Sequence, residues 1–185
     1  ESPLAAQDAL DAIEVEYRDL PAAVTVEDAL AAGAPQLHAS VPGNLSFEWE
    51  TGDADAVAKA FEQAAHVTHI KVVSQRVVPS PMEPRACLIS YVAASDSYDI
   101  FVCAQGITFM RWQFSEITSL PDEKLRFHLY DVGGSFGQRS LAYPEYAAQM
   151  IAAKNLGRPI KWISSRSEGF LSDAHGRAMH MSGEL

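Results

Sequence analysis

Asp131-Val132-Gly133-Gly134-Ser135-Phe136-Gly137-Gln138-Arg139 is the stretch on which the reading of this chain turns. Its flanks announce a strand before it and a helix after it. Leu125, Phe127 and Leu129 alternate with Arg126, His128 and Tyr130, the two-residue period of a half-buried strand. Downstream, Pro144 suits a first helical position and Gly157 with Pro159 marks a stop, so the pattern predicts a helix between them and a strand over 161–164. Within the stretch, Gly133, Gly134 and Gly137 lack the Cβ atoms that keep backbone N–H groups away from a ligand, and they permit positive φ.

Spacing removes two mechanisms for such a loop. A dinucleotide fingerprint needs glycine where Val132 stands, and a phosphate-cradling P-loop needs Gly-Lys-Ser/Thr, which is absent. Three readings stay open on these residues: a nucleophile elbow, a backbone cradle for a large cofactor, and a plain structural turn. The elbow follows from Gly133-Gly134-Ser135-Phe136-Gly137, with Ser135 as nucleophile of a serine hydrolase and Asp173 with His175 or His180 downstream. An elbow, however, needs its helix directly after the serine so that N–H groups serve the oxyanion, and Pro144 places the helix well beyond it. Asp173 and His175 also stand too close together to separate easily into orienter and base.

The 185 residues, 48% hydrophobic and 21% charged, suffice for one medium domain or one domain with a piece of another. A formal charge of −10 without any Lys/Arg run argues against nucleic acid as a partner. No apolar run reaches membrane-spanning length. Glu1-Ser2-Pro3-Leu4 is neither a signal peptide nor an initiator Met, so the chain reads as an excised piece. Cys87 and Cys103 form no C-x-x-C pair and no disulfide framework, which fits a reducing, cytoplasmic compartment.

Along the chain, residues 5–12 read as helix, and Ile13, Val15 and Tyr17 as a strand ended by Pro21. Residues 22–50 read as a connecting segment in which Thr25 and Asp28 cap a short helix. Residues 51–185 read as the first part of the main domain. There Asp53 caps a helix carrying Val57, Ala60, Phe61 and Ala64, and 66–78 forms a strand that sets His66 and His69 on opposite faces, a poor metal site. Three prolines in the six positions from Pro79 to Pro84 impose a rigid path, with Glu83 and Arg85 as a local ion pair. A hairpin joins 87–92 to 98–104, and Gln105 stands at its end, able to offer an amide to a ligand. Thr108 caps a helix using Met110, Phe114 and Ile117; Arg166, Glu168, Asp173, His175, Arg177 and His180 form a polar region, most of it solvated; and 178–185 begins a strand. These elements predict an α+β fold, a largely antiparallel sheet covered by two or three helices.

Several motifs together resemble the large subunit of the molybdenum hydroxylases, the family of xanthine dehydrogenase, aldehyde oxidase and aerobic carbon monoxide dehydrogenase. They are Pro81-Met82-Glu83-Pro84-Arg85, Gln105, Asp131 to Gly137, Tyr143-Pro144-Glu145, and Gly157-Arg158-Pro159-Ile160-Lys161-Trp162 with Arg166-Ser167-Glu168, in family order. The opening, residues 1–21, resembles the end of the family's preceding α/β domain, so the likeness covers essentially the whole chain. It implies an internal part of a larger molybdopterin-binding subunit, inactive as an isolated fragment. The cofactor implied is molybdenum–molybdopterin in its cytosine dinucleotide form, with 2Fe–2S clusters and FAD on partner subunits or domains and a small-molecule substrate hydroxylated with water-derived oxygen. The resemblance further implies cofactor-binding roles for Gln105, beside an oxo ligand of the metal, and for Gly134, Ser135, Phe136 and Gly137 against the pterin. It implies no metal ligand and no catalytic residue from this chain, the family's general-base glutamate lying beyond Leu185. Pro81 to Arg85 would support the site. Many members carry glycine at the position of Ser135 and Gly-Lys at Gln138-Arg139. Ser140 stands where xanthine dehydrogenases carry a substrate-contacting glutamate, which disfavours a purine and leaves an aldehyde, another small heteroaromatic compound or carbon monoxide. A non-catalytic interaction domain is the alternative outside enzymes.

Overall fold

The computed structural model describes residues 2–185, in two compact units that meet between Thr68 and His69 in the sequence. Glu1, which opens the stretch read as the end of a preceding domain, lies outside the described residues. Among the described residues no helix is long and apolar enough to cross a membrane.

The first unit is organised by local capping. Helix α1 (Pro3–Asp11) starts with Ser2 Oγ accepting from the Ala5 N–H, and α2 (Val26–Leu30) carries the reciprocal Thr25/Asp28 capping box that the sequence announces. Helix α3 (Ala54–Glu62) is capped by Asp53, whose Oδ1 accepts from the Ala56 N–H at 2.9 Å. Asn44 ties the connecting segment, its amide donating to the Ala29 and Pro35 carbonyls while its oxygen accepts from the Leu37 N–H. The strand expected over Ile13, Val15 and Tyr17 does not form: among the described residues no strand pairs with it, and all three side chains are exposed.

The second unit holds two sheets. Strand β1 (His69–Ser74), shorter than the sequence suggests, pairs antiparallel with β6 (Met179–Glu184), and His69 Nδ1 meets Glu184 Oε1 at 2.9 Å. The main sheet contains β2 (Ala86–Val92), β3 (Ser97–Val102), β4 (Leu125–His128) and β5 (Ile160–Ile163) in the order β4-β3-β2-β5. The β2–β3 hairpin and the β2–β5 pair are antiparallel, and β3–β4 is parallel. The sheet is therefore largely antiparallel, as expected, and its two edge strands run the same way.

One face of this sheet makes the core. Cys87 and Ile89 on β2 stand opposite Val102 and Ile100 on β3, and all four are buried. Over them pack α4 (Ile107–Thr118), through Met110 and Phe114, and α5 (Pro144–Leu156), through Tyr146, Met150 and Ala153. Phe114 meets Phe127 edge-on at 5.3 Å, and Tyr146 meets Trp162 at 6.3 Å. Helix α4 begins at Gly106, with φ +85, rather than at a Thr108 cap. A last helix, α6 (Arg166–Ser172), starts from a Ser165/Glu168 capping box.

This topology gathers separate segments at one sheet edge. Because β3 and β4 are parallel, both end there, so Gln105 and the glycine loop emerge side by side. Strand β2 is antiparallel to β3 and to β5, so the proline-rich segment that enters β2 and the residues that leave β5 reach the same edge.

Candidate functional site

At that edge Gln105 is held by its main chain and its side chain. Its N–H donates to the Arg139 carbonyl at 3.0 Å. Its Oε1 accepts from Ser135 Oγ at 2.6 Å and from the Gly137 N–H at 3.2 Å, while the Arg139 N–H donates to Ser135 Oγ at 3.3 Å. Of the five residues expected to act together, the structure thus brings Gln105, Ser135 and Gly137 into direct contact. Gly134, at φ +100, lies against Pro81, whose Cβ would sit 3.3 Å from an added methyl group, and the Phe136 ring lies equally close.

Phe136 itself has φ +54 and is 76% exposed. An exposed aromatic in the left-handed region is held against its own preference by its neighbours. Phe136→Gly is accordingly expected to raise the stability of the ligand-free protein by about 1 kcal/mol, measured by urea denaturation. A fall would mean that the ring's packing outweighs its backbone strain.

Beneath the loop sits Glu83, which the sequence reading placed in a stiff segment supporting the site and paired locally with Arg85. Its Oε2 accepts from the Gly133 N–H at 2.7 Å and from Arg139 Nη1, its Oε1 accepts from Cys103 Sγ at 2.9 Å, and its carbonyl accepts from Arg139 Nη2. Burial alone would raise the Glu83 pKa, but the hydrogen bonds from Cys103, Arg139 and Gly133 hold it below the usual glutamate value. Burial, reinforced by the Glu83 carboxylate, pushes the Cys103 thiol up to about 11. Gly133 is required by closeness: a Cβ there would lie 2.5 Å from Glu83 Cβ.

The expected local pair between Glu83 and Arg85 does not exist, because each is drawn to a more distant partner. Arg85 is fully buried, bonded to Asp173, to Glu145 at 3.2 Å and to Ser172 at 3.1 Å, with its guanidinium 3.6 Å from the Tyr143 ring centroid. Asp173 is consequently buried and not part of a solvated region. Arg166 donates to the carbonyls of Pro81 and Met82 at 2.8 and 2.7 Å, so α6 also anchors the proline-rich segment. The signal for the Glu83–Arg139 contact was an acid in the proline-rich segment and an arginine closing the glycine loop.

A hydrolase needs a different arrangement. The Ser135 hydroxyl is committed to Gln105, Asp173 to Arg85, and His175 Nε2 lies 3.3 Å from the Phe170 carbonyl. No orienter–base–nucleophile chain runs through these contacts. Among the described residues no group of three His, Cys, Asp or Glu side chains could hold a metal ion.

Residues 37–185 match the family model for the molybdopterin cofactor-binding domain. The carbon monoxide dehydrogenase large chain of Hydrogenophaga pseudoflava is 32% identical over 97% of this chain and 24% of its own length. The gamma subunit of the 6-hydroxypseudooxynicotine dehydrogenase complex of Paenarthrobacter nicotinovorans is 32% identical over 96% of this chain and 22% of its own. Among solved structures, reconstituted CO dehydrogenase from Oligotropha carboxidovorans superposes with a TM-score of 0.87 at 29% identity, covering 99% of this chain and 24% of that one. The chain thus spans about a quarter of the length of the relatives it matches.

Proposed function

Because this chain belongs to the molybdopterin cofactor-binding domain family, we propose that Gln105, Gly134, Ser135, Phe136 and Gly137 hold part of a molybdenum–molybdopterin cofactor within the large subunit of a molybdenum hydroxylase. The observation that carries this reading is the meeting of Gln105 with the glycine loop, from which the Gln105 NH2 group emerges without a hydrogen bond to any described residue.

The residues fit such a group. A methyl added at Gly106 or Gly137 would meet nothing within 4 Å, so the backbone on that side is open to close approach. Phe136 offers an exposed apolar face beside it. When bound, the cofactor supplies the redox chemistry by which a small substrate is hydroxylated with water-derived oxygen. The chain's own residues orient and enclose: Gln105 presents a donor to an acceptor atom, the loop backbone sets the distance, and Phe136 excludes water from one side. Glu83 and Arg139 hold the loop at that height.

The cytosine dinucleotide form of the pterin, partner 2Fe–2S and FAD subunits or domains, and a cytoplasmic setting complete the proposal, with the isolated fragment inactive. Relatives named for carbon monoxide and for a nicotine derivative support a small substrate, and Ser140 argues against a purine. An aldehyde, a heteroaromatic compound or carbon monoxide fits this reading.

The test is made on the full-length gene product purified with its neighbours, by elemental analysis of molybdenum and identification of the released pterin nucleotide. Near-stoichiometric metal is expected in the wild type. Phe136→Asp, a residue type that tolerates positive φ on an exposed site, is expected to keep the fold and lose several-fold of both metal and pterin. A folded wild-type complex free of both, from molybdenum-replete cells competent in cofactor maturation, would sink the reading.

A further inference from the structure

The glycine loop carries a hydroxyl at Ser135 that a backbone cradle does not require. We propose that Ser135 is a positioning residue: it fixes the Gln105 carboxamide with its oxygen turned into the loop and its NH2 turned to a bound acceptor atom. The role rests on the cofactor reading above.

The direction of the amide follows from the chemistry of its neighbours. A backbone N–H can only donate, so the Gln105 atom facing the Gly137 N–H at 3.2 Å must be the oxygen. The Arg139 N–H occupies a lone pair of Ser135 Oγ at 3.3 Å, which leaves the hydroxyl proton to point at the same Oε1, 2.6 Å away. The Gln105 main chain, bonded to the Arg139 carbonyl at 3.0 Å, closes the unit. Both donors therefore converge on one oxygen. The flipped amide would set its NH2 against the Gly137 N–H, donor against donor.

Relative distances assign the larger part to the serine. The Gly137 contact is at the long end of the hydrogen-bond range and the Ser135 contact at the short end. Gln105 is solvent-exposed, so with the hydroxyl removed water competes for its oxygen and the amide samples other rotamers. The selectivity that results is for an acceptor, an anionic oxygen above all, over a donor. In this role Ser135 acts through Gln105, to which its hydroxyl is bonded.

The experiment is a double-mutant cycle on the full-length holoenzyme: wild type, Ser135→Ala, Gln105→Ala and the double variant, with Ser135→Gly as a second deletion of the hydroxyl. Molybdenum and pterin content are measured first. The midpoint potential of the bound metal is then followed by electron paramagnetic resonance during titration with dithionite, which needs no known substrate. A donor to an acceptor atom favours the more negatively charged state, so the loaded fraction of each single variant is expected to titrate at lower potential than the wild type. The double variant is expected to fall no lower than Gln105→Ala alone.

A wild-type potential in loaded Ser135→Ala and Ser135→Gly would overturn the proposal. So would shifts that add in the double variant, because Ser135 would then act independently of Gln105. Failure of both serine variants to load would assign the hydroxyl to the scaffold instead. A wild type without molybdenum and pterin would remove the cofactor reading itself, an outcome separable from the others at the first measurement.

Discussion

Arg85→Ala is expected to destabilise the second unit by about 3–5 kcal/mol, the cost of breaking a buried ion pair from one side. The Arg85 side chain is 0% exposed, and those of Asp173 and Glu145 are 6% and 32% exposed, so the variant strands one carboxylate inside the protein and a second near its surface. Burial would lower the Arg85 pKa, but the hydrogen bonds to Glu145 and Asp173 raise it, and the group stays charged. Arg85 also carries position as well as charge, since it enters β2 from the proline-rich segment, reaches α5 through Glu145 and α6 through Ser172, and stacks on Tyr143. Against a usual total of about 5–15 kcal/mol, a loss of this size removes a large share of the stability. Arg85→Lys separates the parts: it keeps the charge but cannot reproduce the fork or the stack, so an intermediate loss is expected. Urea denaturation of the full-length chain reads both, and a loss below about 1 kcal/mol for Arg85→Ala would show that the network contributes almost nothing.

The elements that sequence reasoning located correctly are those whose causes are local. Asp53, the Thr25/Asp28 box, Pro144 and Gly157 act within one helical turn, and the α3 and α5 boundaries follow them closely. The alternation at Ile13, Val15 and Tyr17 failed as a strand signal because alternation describes a surface that could be buried, not whether a second strand is there to bury it. Charge pairing failed for the same reason. Glu83 and Arg85 are two residues apart, yet their partners Arg139 and Asp173 are 56 and 88 residues away in sequence. Only the order β4-β3-β2-β5 brings those segments together. The glycine loop and Gln105 were each legible as a place where a backbone or an amide could meet a ligand. That they meet each other depends on the parallel pairing of β3 and β4, which no period in the sequence encodes.

Glu83→Gln is expected to loosen the glycine loop at neutral pH, at a cost of about 1.5–3 kcal/mol, the range for hydrogen bonds to charged groups. The Arg139 side chain is 0% exposed, and the variant leaves its charge without a counter-ion. The pH dependence has a defined sign. The folded-state pKa of Glu83 lies below the ordinary 4.5, so its contribution is fully present above that value and is lost as pH falls through the folded pKa. The wild type should therefore lose loop protection in acid below about pH 4.5, whereas the glutamine variant, weaker at neutral pH, should lack this component of the titration. Cys103 gives a second reading of the same event. Its thiol stays high because of burial first and the Glu83 carboxylate second, so removing the carboxylate's charge should speed alkylation of Cys103 without making it as reactive as a free thiol. Gly133→Ala approaches the same contact from the other side, since the added Cβ would fall 2.5 Å from Glu83 Cβ and must push the loop off its support. If Glu83 holds the loop, both variants raise amide exchange across residues 133–137 and accelerate Cys103 alkylation. Unchanged exchange in Glu83→Gln, with Arg139 still protected, would transfer the holding role to Pro81 and the loop's own backbone.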